Sequence, residues 1–219
     1  MPSARSARRG SSSNHKAAWE QVYDQTPYHE LPWFDPDPSP QVVRTVEAGF
    51  LSPGDSVLDV GCGAGSNVLY LAREGYESHG VDLSPGAIRS AEARARAEGL
   101  TVDVRVGDAL ALDFPAGRFG GVIDNGCFHT LPVQRRADYA LEISRVLRPG
   151  GAFVLSWVAR EHVGDMGPRH RPSLEEVTRT FEKRFLFVRT SFDPRGGDKG
   201  PAVYEAWMTR RTSPQPPPR

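Results

Sequence analysis

Glycine and aspartate residues at short, regular spacing form the part of this chain best suited to chemistry. Asp59 is followed by Gly61, Gly63 and Gly65, and Ser66 then opens a helical pattern. Glycine adopts positive φ values freely and lets a ligand approach the main chain where a Cβ would collide. The residues before Asp59 are apolar, which is typical of a buried strand. A strand, a glycine turn and a helix in this order predict the first unit of a nucleoside-binding α/β fold.

Further acids lie at the ends of the next two predicted strands. Asp82 ends the strand of Glu77–Val81, and Asp108 follows the strand of Thr101–Val106. The carboxyl ends of parallel strands border the crevice where open α/β sheets bind ligands. We therefore expect Asp59, Asp82 and Asp108 to line one crevice, where a carboxylate can accept hydrogen bonds from ribose hydroxyls or from an adenine amine.

The rest of the chain alternates between strand and helix patterns. Predicted helices are Ala17–Tyr23, Pro40–Phe50, Asn67–Glu74, Pro85–Glu98, Arg135–Leu147 and one that begins at Ser173, and the further strands are Phe119–Asp124, Ala152–Val158, Phe185–Thr190 and Ala202–Met208. This alternation requires a parallel sheet with helices on both faces. The last two strands have no helix between them, so we expect an antiparallel hairpin at the sheet edge.

Composition narrows the class of protein. Lys plus Arg and Asp plus Glu both number 27, so no net charge attracts nucleic acid or an anionic membrane. We expect one domain over residues 15–209, between disordered tails at 1–14 and 210–219. Without a membrane-length apolar run or a signal peptide, the chain is expected to be a cytoplasmic protein. Two cysteines and unevenly spaced histidines predict no metal site. We expect a monomer or a homodimer.

Two ligands compete for the glycine turn, a nicotinamide dinucleotide and S-adenosylmethionine. The dinucleotide fingerprint GxGxxG requires a third glycine where this chain has Ser66. Asp59 lies near the place where a diphosphate would bind and would repel it, whereas it would attract a ligand that carries an ammonium and a sulfonium. The charge at this position therefore favours S-adenosylmethionine.

Five motifs, in order, resemble those of the class I S-adenosylmethionine-dependent methyltransferases. They are Asp59–Gly65, Asp82, Gly107–Ala109, Val122–Asp124 and Leu147–Gly151. The resemblance covers about residues 39–158. It implies a Rossmann-like three-layer α/β sandwich, with a seven-stranded, mostly parallel sheet and an antiparallel last strand. Residues 19–23, 31–34 and 124–132 resemble the small-molecule branch of that class, which holds thiopurine, tellurite-resistance and halide or thiol methyltransferases.

The resemblance implies S-adenosylmethionine as the cofactor and a small molecule as the substrate. The glycine turn, the strand ends and the N-terminal aromatic residues supply the predicted cofactor contacts, which are Trp19, Tyr23, Asp59, Gly61, Cys62, Gly63, Gly65, Asp82, Leu83, Asp108, Ala109 and Asn125. Aromatic faces attract a sulfonium through cation–π interaction, a role suited to Trp19 or Tyr23. Residues 15–40 are predicted to form an aromatic lid over the ligand, and the alternative is a hydrophobic strap that covers the sheet.

The loop after the fourth predicted strand is expected to face the methyl acceptor. His129 is its candidate general base, and the alternative for this side chain is a structural hydrogen bond to the loop backbone. Trp33, Phe34, Cys127 and Phe128 are predicted to line the substrate pocket, with Cys127 as a small packed residue.

These residues predict in-line transfer of a methyl group to a soft nucleophile, such as a thiol, halide or chalcogen, in a pocket that excludes water. Such an acceptor needs no strong base. The alternatives are transfer to an oxygen or nitrogen of a small metabolite or to RNA, and a protein that binds S-adenosylmethionine without turnover. The sequence after the fourth strand, Asp124–Cys127, differs from the Asp/Asn-Pro-Pro-aromatic clamp used on base amino groups.

Overall fold

The computed structural model describes residues 17–162, 168, 170–194 and 201–212. The α-helices in this part of the chain are α1 (17–25), α2 (Pro40–Glu47), α3 (Ser66–Arg73), α4 (Pro85–Ala97), α5 (Arg136–Val146) and α6 (Leu174–Phe181). The strands are β1 (Ser56–Val60), β2 (Glu77–Asp82), β3 (Asp103–Val106), β4 (Phe119–Asn125), β5 (Leu147–Val158), β6 (Phe185–Asp193) and β7 (Val203–Arg210). The predicted tail at residues 1–14 and most of that at 210–219 lie outside the described residues.

The strands form one seven-stranded sheet in the order β3-β2-β1-β4-β5-β7-β6. The pairs from β3 through β5 are parallel, and β7 is antiparallel to both β5 and β6. The predicted fold, with its antiparallel last strand and edge hairpin, is confirmed. The strand order reverses between β1 and β4, and the crevice beyond the carboxyl ends of these two strands is where such sheets bind ligands.

Apolar residues place the sheet between two layers of helices. All five residues of β1 are buried, as expected for a central parallel strand covered on both faces. On one face a core cluster includes Phe128, Tyr139 and Phe181. On the other face a second cluster includes Val42 and Tyr76. The central strands are therefore held rigidly, and their carboxyl ends are fixed positions for functional groups.

Several predicted boundaries shift in the structure. Strand β5 begins at Leu147 rather than Ala152, because Leu147 pairs with Phe119 across a β-bulge. Strand β3 begins at Asp103 rather than Thr101, because its pairing with β2 begins there. Helix α2 ends at Glu47 rather than Phe50, and Gly49 reverses the chain there with φ of +66°.

No helix among the described residues has the length and apolar character needed to cross a membrane.

Candidate functional site

The glycine turn connects β1 to α3 and needs glycine at three positions. Gly61, Gly63 and Gly65 have φ values of +74°, +55° and +86°, which L side chains rarely adopt. The turn is held by the backbone N–H of Gly61, which donates to the Val81 carbonyl at 2.7 Å. A Cβ on Gly65 would lie 2.9 Å from the Cβ of Ala91 in α4. The turn can therefore lie close to α4 and present its backbone to the crevice.

Asp82, at the end of β2, is bound to this turn. Its Oδ2 accepts from the Gly63 N–H at 3.0 Å, and its Oδ1 accepts from the Ser84 N–H at 2.9 Å. Burial raises the pKa of the Asp82 carboxyl, and the backbone donors oppose that shift. Leu83 beside it is half-buried. Each carboxylate oxygen has further lone pairs, so Asp82 can still accept hydrogen bonds from a ligand.

Asp108 lies after β3, two strands from β1 in the sheet. Its Oδ1 accepts from the Leu110 N–H at 2.9 Å, which forms a tight turn, and Ala109 is buried beneath that turn. Asp59, Asp82 and Asp108 thus lie near the carboxyl ends of three adjacent strands, at the same edge of the sheet, as expected from the sequence.

Asp59 is almost fully buried, with 1% of its surface exposed. The Asn67 side chain is hydrogen-bonded to it, while Oδ2 has no hydrogen-bond partner among the described residues. Burial, reinforced by the charge of Asp124, raises the pKa of Asp59 to about 8. A buried carboxylate oxygen without a donor is costly, and a cation or a donor brought by a ligand would offset that cost.

Asp124 is a second buried acid next to Asp59. Asp59 is in register with Ile123 of β4, the residue before Asp124. The Asp124 carboxylate accepts from the Cys127 N–H at 2.7 Å, the Phe128 N–H at 2.9 Å and the Tyr139 hydroxyl. Burial raises the pKa of Asp124 to about 7, against the effect of these donors. Asp124 therefore orders the loop after β4.

The N-terminal aromatic residues lie against the glycine turn. A Cβ on Gly63 would lie 3.0 Å from the Tyr23 hydroxyl, and a Cβ on Gly86 would lie 3.0 Å from the Tyr23 Cβ. The Trp33 side chain is hydrogen-bonded to Tyr23, and the rings of Trp19 and Trp33 meet edge to face at 5.5 Å. Burial and the charge of Asp82 raise the pKa of Tyr23, so its hydroxyl stays protonated.

The four residues predicted to line the substrate pocket do not form one wall. Phe34 packs on Tyr28 and lies under the guanidinium of Arg94, while Trp33 is 51% exposed. Phe128 is fully buried in the core. Its ring fills the space between the sheet and the helices on that face, and its place in the substrate pocket stays a prediction.

His129, the candidate base, is 8% exposed and engaged with the backbone. Its Nδ1 accepts from the Val158 N–H at 3.0 Å, so the ring proton resides on Nε2. Burial, together with the charges of Arg136 and Arg171, lowers the pKa of His129 to about 4. The ring lacks a free basic nitrogen in this arrangement, which matches the structural alternative rather than the general base.

Cys62 lies within the glycine turn and Cys127 packs against it, and both are free thiols. Cys62 is buried, and a Cβ on Gly61 would lie 2.6 Å from the Cβ of Cys127. Burial and the neighbouring carboxylates raise the pKa of both thiols well above the usual range. Neither is therefore an activated nucleophile. Asn125, exposed at the end of β4, faces the same edge of the sheet as Asp59.

Three polar residues of the site were missed in the sequence. Asn67 holds Asp59, and its Oδ1 also accepts from the Ser39 N–H at 2.9 Å. Tyr139 donates to Asp124, and Arg136 is buried beside His129. The spacing of Arg136 and Tyr139 could have indicated the last two. They are three residues apart on the buried face of α5, where a hydroxyl or a guanidinium needs a hydrogen-bond partner.

The residues present fit a cationic nucleoside. Three carboxylates lie near the carboxyl ends of β1, β2 and β3, and the buried Oδ2 of Asp59 has no donor within the described structure. The sheet with one antiparallel strand and this acid-bordered turn give the chain the Rossmann-like fold of the class I S-adenosylmethionine-dependent methyltransferases. Residues 57–151 match a family model described as a methyltransferase domain.

Similarity to a named enzyme supports this class. The 2-heptyl-1-hydroxyquinolin-4(1H)-one methyltransferase of Mycobacteroides abscessus is 38% identical over 125 residues, which are 57% of this chain and 54% of that protein. The chain thus spans about half the length of this curated relative.

Two solved structures have the same fold. One, reported for the conversion of a disulfide bond into a thioacetal group during echinomycin biosynthesis, has a TM-score of 0.80 and 27% identity, over 90% of this chain and 93% of that chain. The other is 1,6-didemethyltoxoflavin-N1-methyltransferase from Burkholderia thailandensis with bound S-adenosylhomocysteine. Its TM-score is 0.73 at 20% identity, over 91% of this chain and 88% of that chain. The predicted fold is confirmed, and the family match over residues 57–151 supports the predicted methyltransferase domain and its cofactor. The narrower resemblance to thiopurine and tellurite-resistance enzymes stays a prediction.

Proposed function

We propose that this chain transfers the methyl group of S-adenosylmethionine to a small molecule that enters the site already nucleophilic, without a general base from the protein. The observation that carries this proposal is the hydrogen bond from the Val158 N–H to Nδ1 of His129. It occupies the basic nitrogen of the one side chain in the loop after β4 that is suited to proton abstraction.

The cofactor contacts proposed from the sequence remain proposals about the site. When bound, S-adenosylmethionine supplies a methyl group on a positively charged sulfur. Asp59 would offer its buried carboxylate to the positive end of the cofactor, and Asp82 would accept from the ribose hydroxyls. Asp108 and Ala109 would border the adenine, and the glycine backbone would allow close approach.

The N-terminal segment would close this site. Tyr23 contacts the turn at Gly63, and Trp33 holds Tyr23 through its indole. Residues 17–40 would thus act as the aromatic lid, with Trp19 or Tyr23 beside the sulfonium. Exclusion of water and alignment of the acceptor with the methyl group would supply most of the rate enhancement.

The acceptor would be an anion or a free lone pair at the working pH. A soft nucleophile, namely a thiolate, halide or chalcogen, satisfies this requirement. An acidic hydroxyl does so as well, and the relative from Mycobacteroides abscessus is named for a 1-hydroxyquinolone. An unactivated alcohol or a weakly acidic phenol would need a base, and His129, the candidate in the loop after β4, has its basic nitrogen occupied.

Turnover assays on the full chain test this proposal. Thiols, iodide, a 1-hydroxyquinolone, a simple phenol and an alkyl alcohol would each be offered with S-adenosylmethionine, and formation of S-adenosylhomocysteine would be followed across pH. We expect turnover with the acceptors that ionise readily, and rates that follow the acceptor's own ionisation.

The variant His129→Gln is expected to keep kcat within about threefold and to leave the pH profile unchanged, because no proton passes through this side chain. Two results would show that His129 is a base after all. One is that the rise of kcat with pH disappears in His129→Gln, and the other is that the wild type, but not this variant, methylates the alkyl alcohol rapidly.

A further inference from the structure

Arg136 is a buried cation at the start of α5. It is 4% exposed, and its guanidinium lies 5.2 Å from the ring centre of Phe128. Its Nη2 donates to the carbonyls of His129 at 3.3 Å and of His170 at 3.1 Å. Arg136 therefore lies beneath the loop after β4, on the side where the chain returns from β5.

Two of its donor atoms have no acceptor. Nε and Nη1 of Arg136 are buried, and neither finds a hydrogen-bond partner among the described residues. The carboxylate whose charge acts on Arg136 is that of Glu176. That group is already engaged, because it accepts from Nη2 of Arg160 at 2.6 Å and from the Ser173 N–H at 2.7 Å.

A buried guanidinium with unpaired donors lowers the free energy of unfolding. Burial lowers the pKa of Arg136, yet arginine stays charged in proteins. Unpaired buried donors carry their full desolvation penalty, and that penalty is larger for a charged group. Nε and Nη1 lie on different edges of the guanidinium, and each could donate a charge-assisted hydrogen bond to an oxygen of an anionic group.

We propose that Arg136 is the recognition residue for an anionic group on the methyl acceptor, so that the acceptors of this enzyme are organic acids in their ionised form. This inference rests on the proposed function, and it names the substrate class of the same site. Both donor atoms are buried in this structure, so neighbouring residues must shift for the acceptor to reach them.

The surroundings of Arg136 set the sign of the pH dependence. The titratable and charged groups around Arg136 among the described residues are His129, Arg160, His170, Arg171 and Glu176. His129 stays neutral above its lowered pKa of about 4, and Glu176 has a lowered pKa because the Ser173 N–H donates to it. A change in affinity with pH that follows the acceptor's own pKa from one probe to the next therefore reports ionisation of the acceptor.

Calorimetric binding to the full chain with S-adenosylhomocysteine tests this proposal. The first pair of probes is 2-heptyl-1-hydroxyquinolin-4(1H)-one and the same quinolone without the hydroxyl, and the second is benzoate and benzamide. The wild type is expected to prefer the acidic member of at least one pair, increasingly so as that acid ionises. In Arg136→Gln we expect the preference to fall by about 10- to 100-fold.

A neighbouring arginine provides the matched control. Arg135 precedes Arg136 and is paired with Asp138, with 2.8 Å between Nε and Oδ2. Arg135→Gln is expected to retain the preference. The proposal is overturned if the wild type binds both members of each pair equally, or binds none of the probes. It is also overturned if the preference for the acid survives in Arg136→Gln.

Stability supplies a second readout that separates recognition from a structural role. Without acceptor, Arg136→Met is expected to unfold at the same temperature as the wild type or higher, because it removes a buried charge that lacks a counter-ion. A large fall in the unfolding temperature would mark Arg136 as structural and overturn the proposal. Failure of the proposed function itself would appear separately, as absence of S-adenosylhomocysteine binding in every variant.

Discussion

Two buried acids on adjacent strands dominate the chemistry of this site at the level of residues. Asp124 is satisfied by two backbone N–H groups and by the Tyr139 hydroxyl, whereas Oδ2 of Asp59 has no donor in the described structure. The two carboxyls repel one another, and burial makes that repulsion stronger. Asp59 is thus retained at a cost to stability, which is expected of a group that serves a cationic ligand.

The variant Asp59→Asn tests that cost. The pKa of Asp59 is raised from 3.8 to about 8 in the folded protein, so ionisation disfavours folding increasingly as pH rises between these values. The stability that the protonated acid contributes is present below 3.8 and is lost by about pH 8. Without ligand, the variant is therefore expected to exceed the wild type in free energy of unfolding by about 1–3 kcal/mol at the alkaline end, and to match it at the acidic end.

The same variant should lose affinity for the cofactor. Urea unfolding at several pH values and calorimetry with S-adenosylmethionine would measure both effects, and the dissociation constant is expected to rise about tenfold or more. Asp24→Asn is the control, since Asp24 is an exposed carboxylate. A variant that is less stable than the wild type near pH 8, or that binds the cofactor normally, would remove Asp59 from the role proposed here.

At the level of elements, the glycine turn combines a backbone requirement with a packing requirement. Gly65 and Gly75 have nearly equal φ values, +86° and +84°. A Cβ on Gly65 would lie 2.9 Å from the Cβ of Ala91 and 3.4 Å from its Cα, whereas a Cβ on Gly75 would meet nothing within 4 Å. The two positions therefore separate the strain of a positive φ from the close approach of α4 to the turn.

Alanine substitutions at these two glycines are expected to differ. Gly75→Ala should cost about 1–2 kcal/mol of stability and leave cofactor binding intact. Gly65→Ala should cost about 2–4 kcal/mol and weaken S-adenosylhomocysteine binding, because α4 must move away from the turn. Urea denaturation and calorimetry would measure this. Equal losses of stability with unchanged binding in both variants would mean that the close contact at Gly65 has no functional weight.

Most elements could be predicted from the sequence because their signals are local. The apolar residues of β1, the glycines after it and Pro85 after the Ser84 cap each specify a short piece of backbone. The register shift in β5 could not be predicted, because it depends on the pairing of Leu147 with Phe119, which is remote in sequence. Pairing between distant strands is a property of the folded sheet.

Side-chain roles in the loop after β4 were harder to predict for the same reason. Phe128 and His129 are neighbours in sequence, and both are buried, one in the aromatic core and one against the backbone of β5. Nothing local distinguishes a histidine that accepts from the Val158 N–H from one that faces a substrate. The joint placement of Asp59, Asp82 and Asp108, by contrast, follows directly from parallel strands that end at one edge.

For the molecule as a whole, the net charge is zero, and the charges that matter for binding are concentrated around the glycine turn and the loop after β4. Basic and acidic residues balance at 27 each, yet carboxylates lie near the carboxyl ends of the strands around the glycine turn. This local field favours a cationic nucleoside over a dinucleotide with its diphosphate. Arg136 places the opposite sign beside the acceptor loop. The carboxylates would therefore attract the positive methyl donor to one side of the crevice, and Arg136 would attract a negative acceptor to the other.

Calorimetric titration of the full chain with S-adenosylmethionine, S-adenosylhomocysteine and NADH tests this charge-based selection most directly. Dissociation constants on the order of micromolar are expected for the first two, with no measurable heat from NADH. Tight uptake of NADH, together with indifference to both the methyl donor and its product, would contradict it.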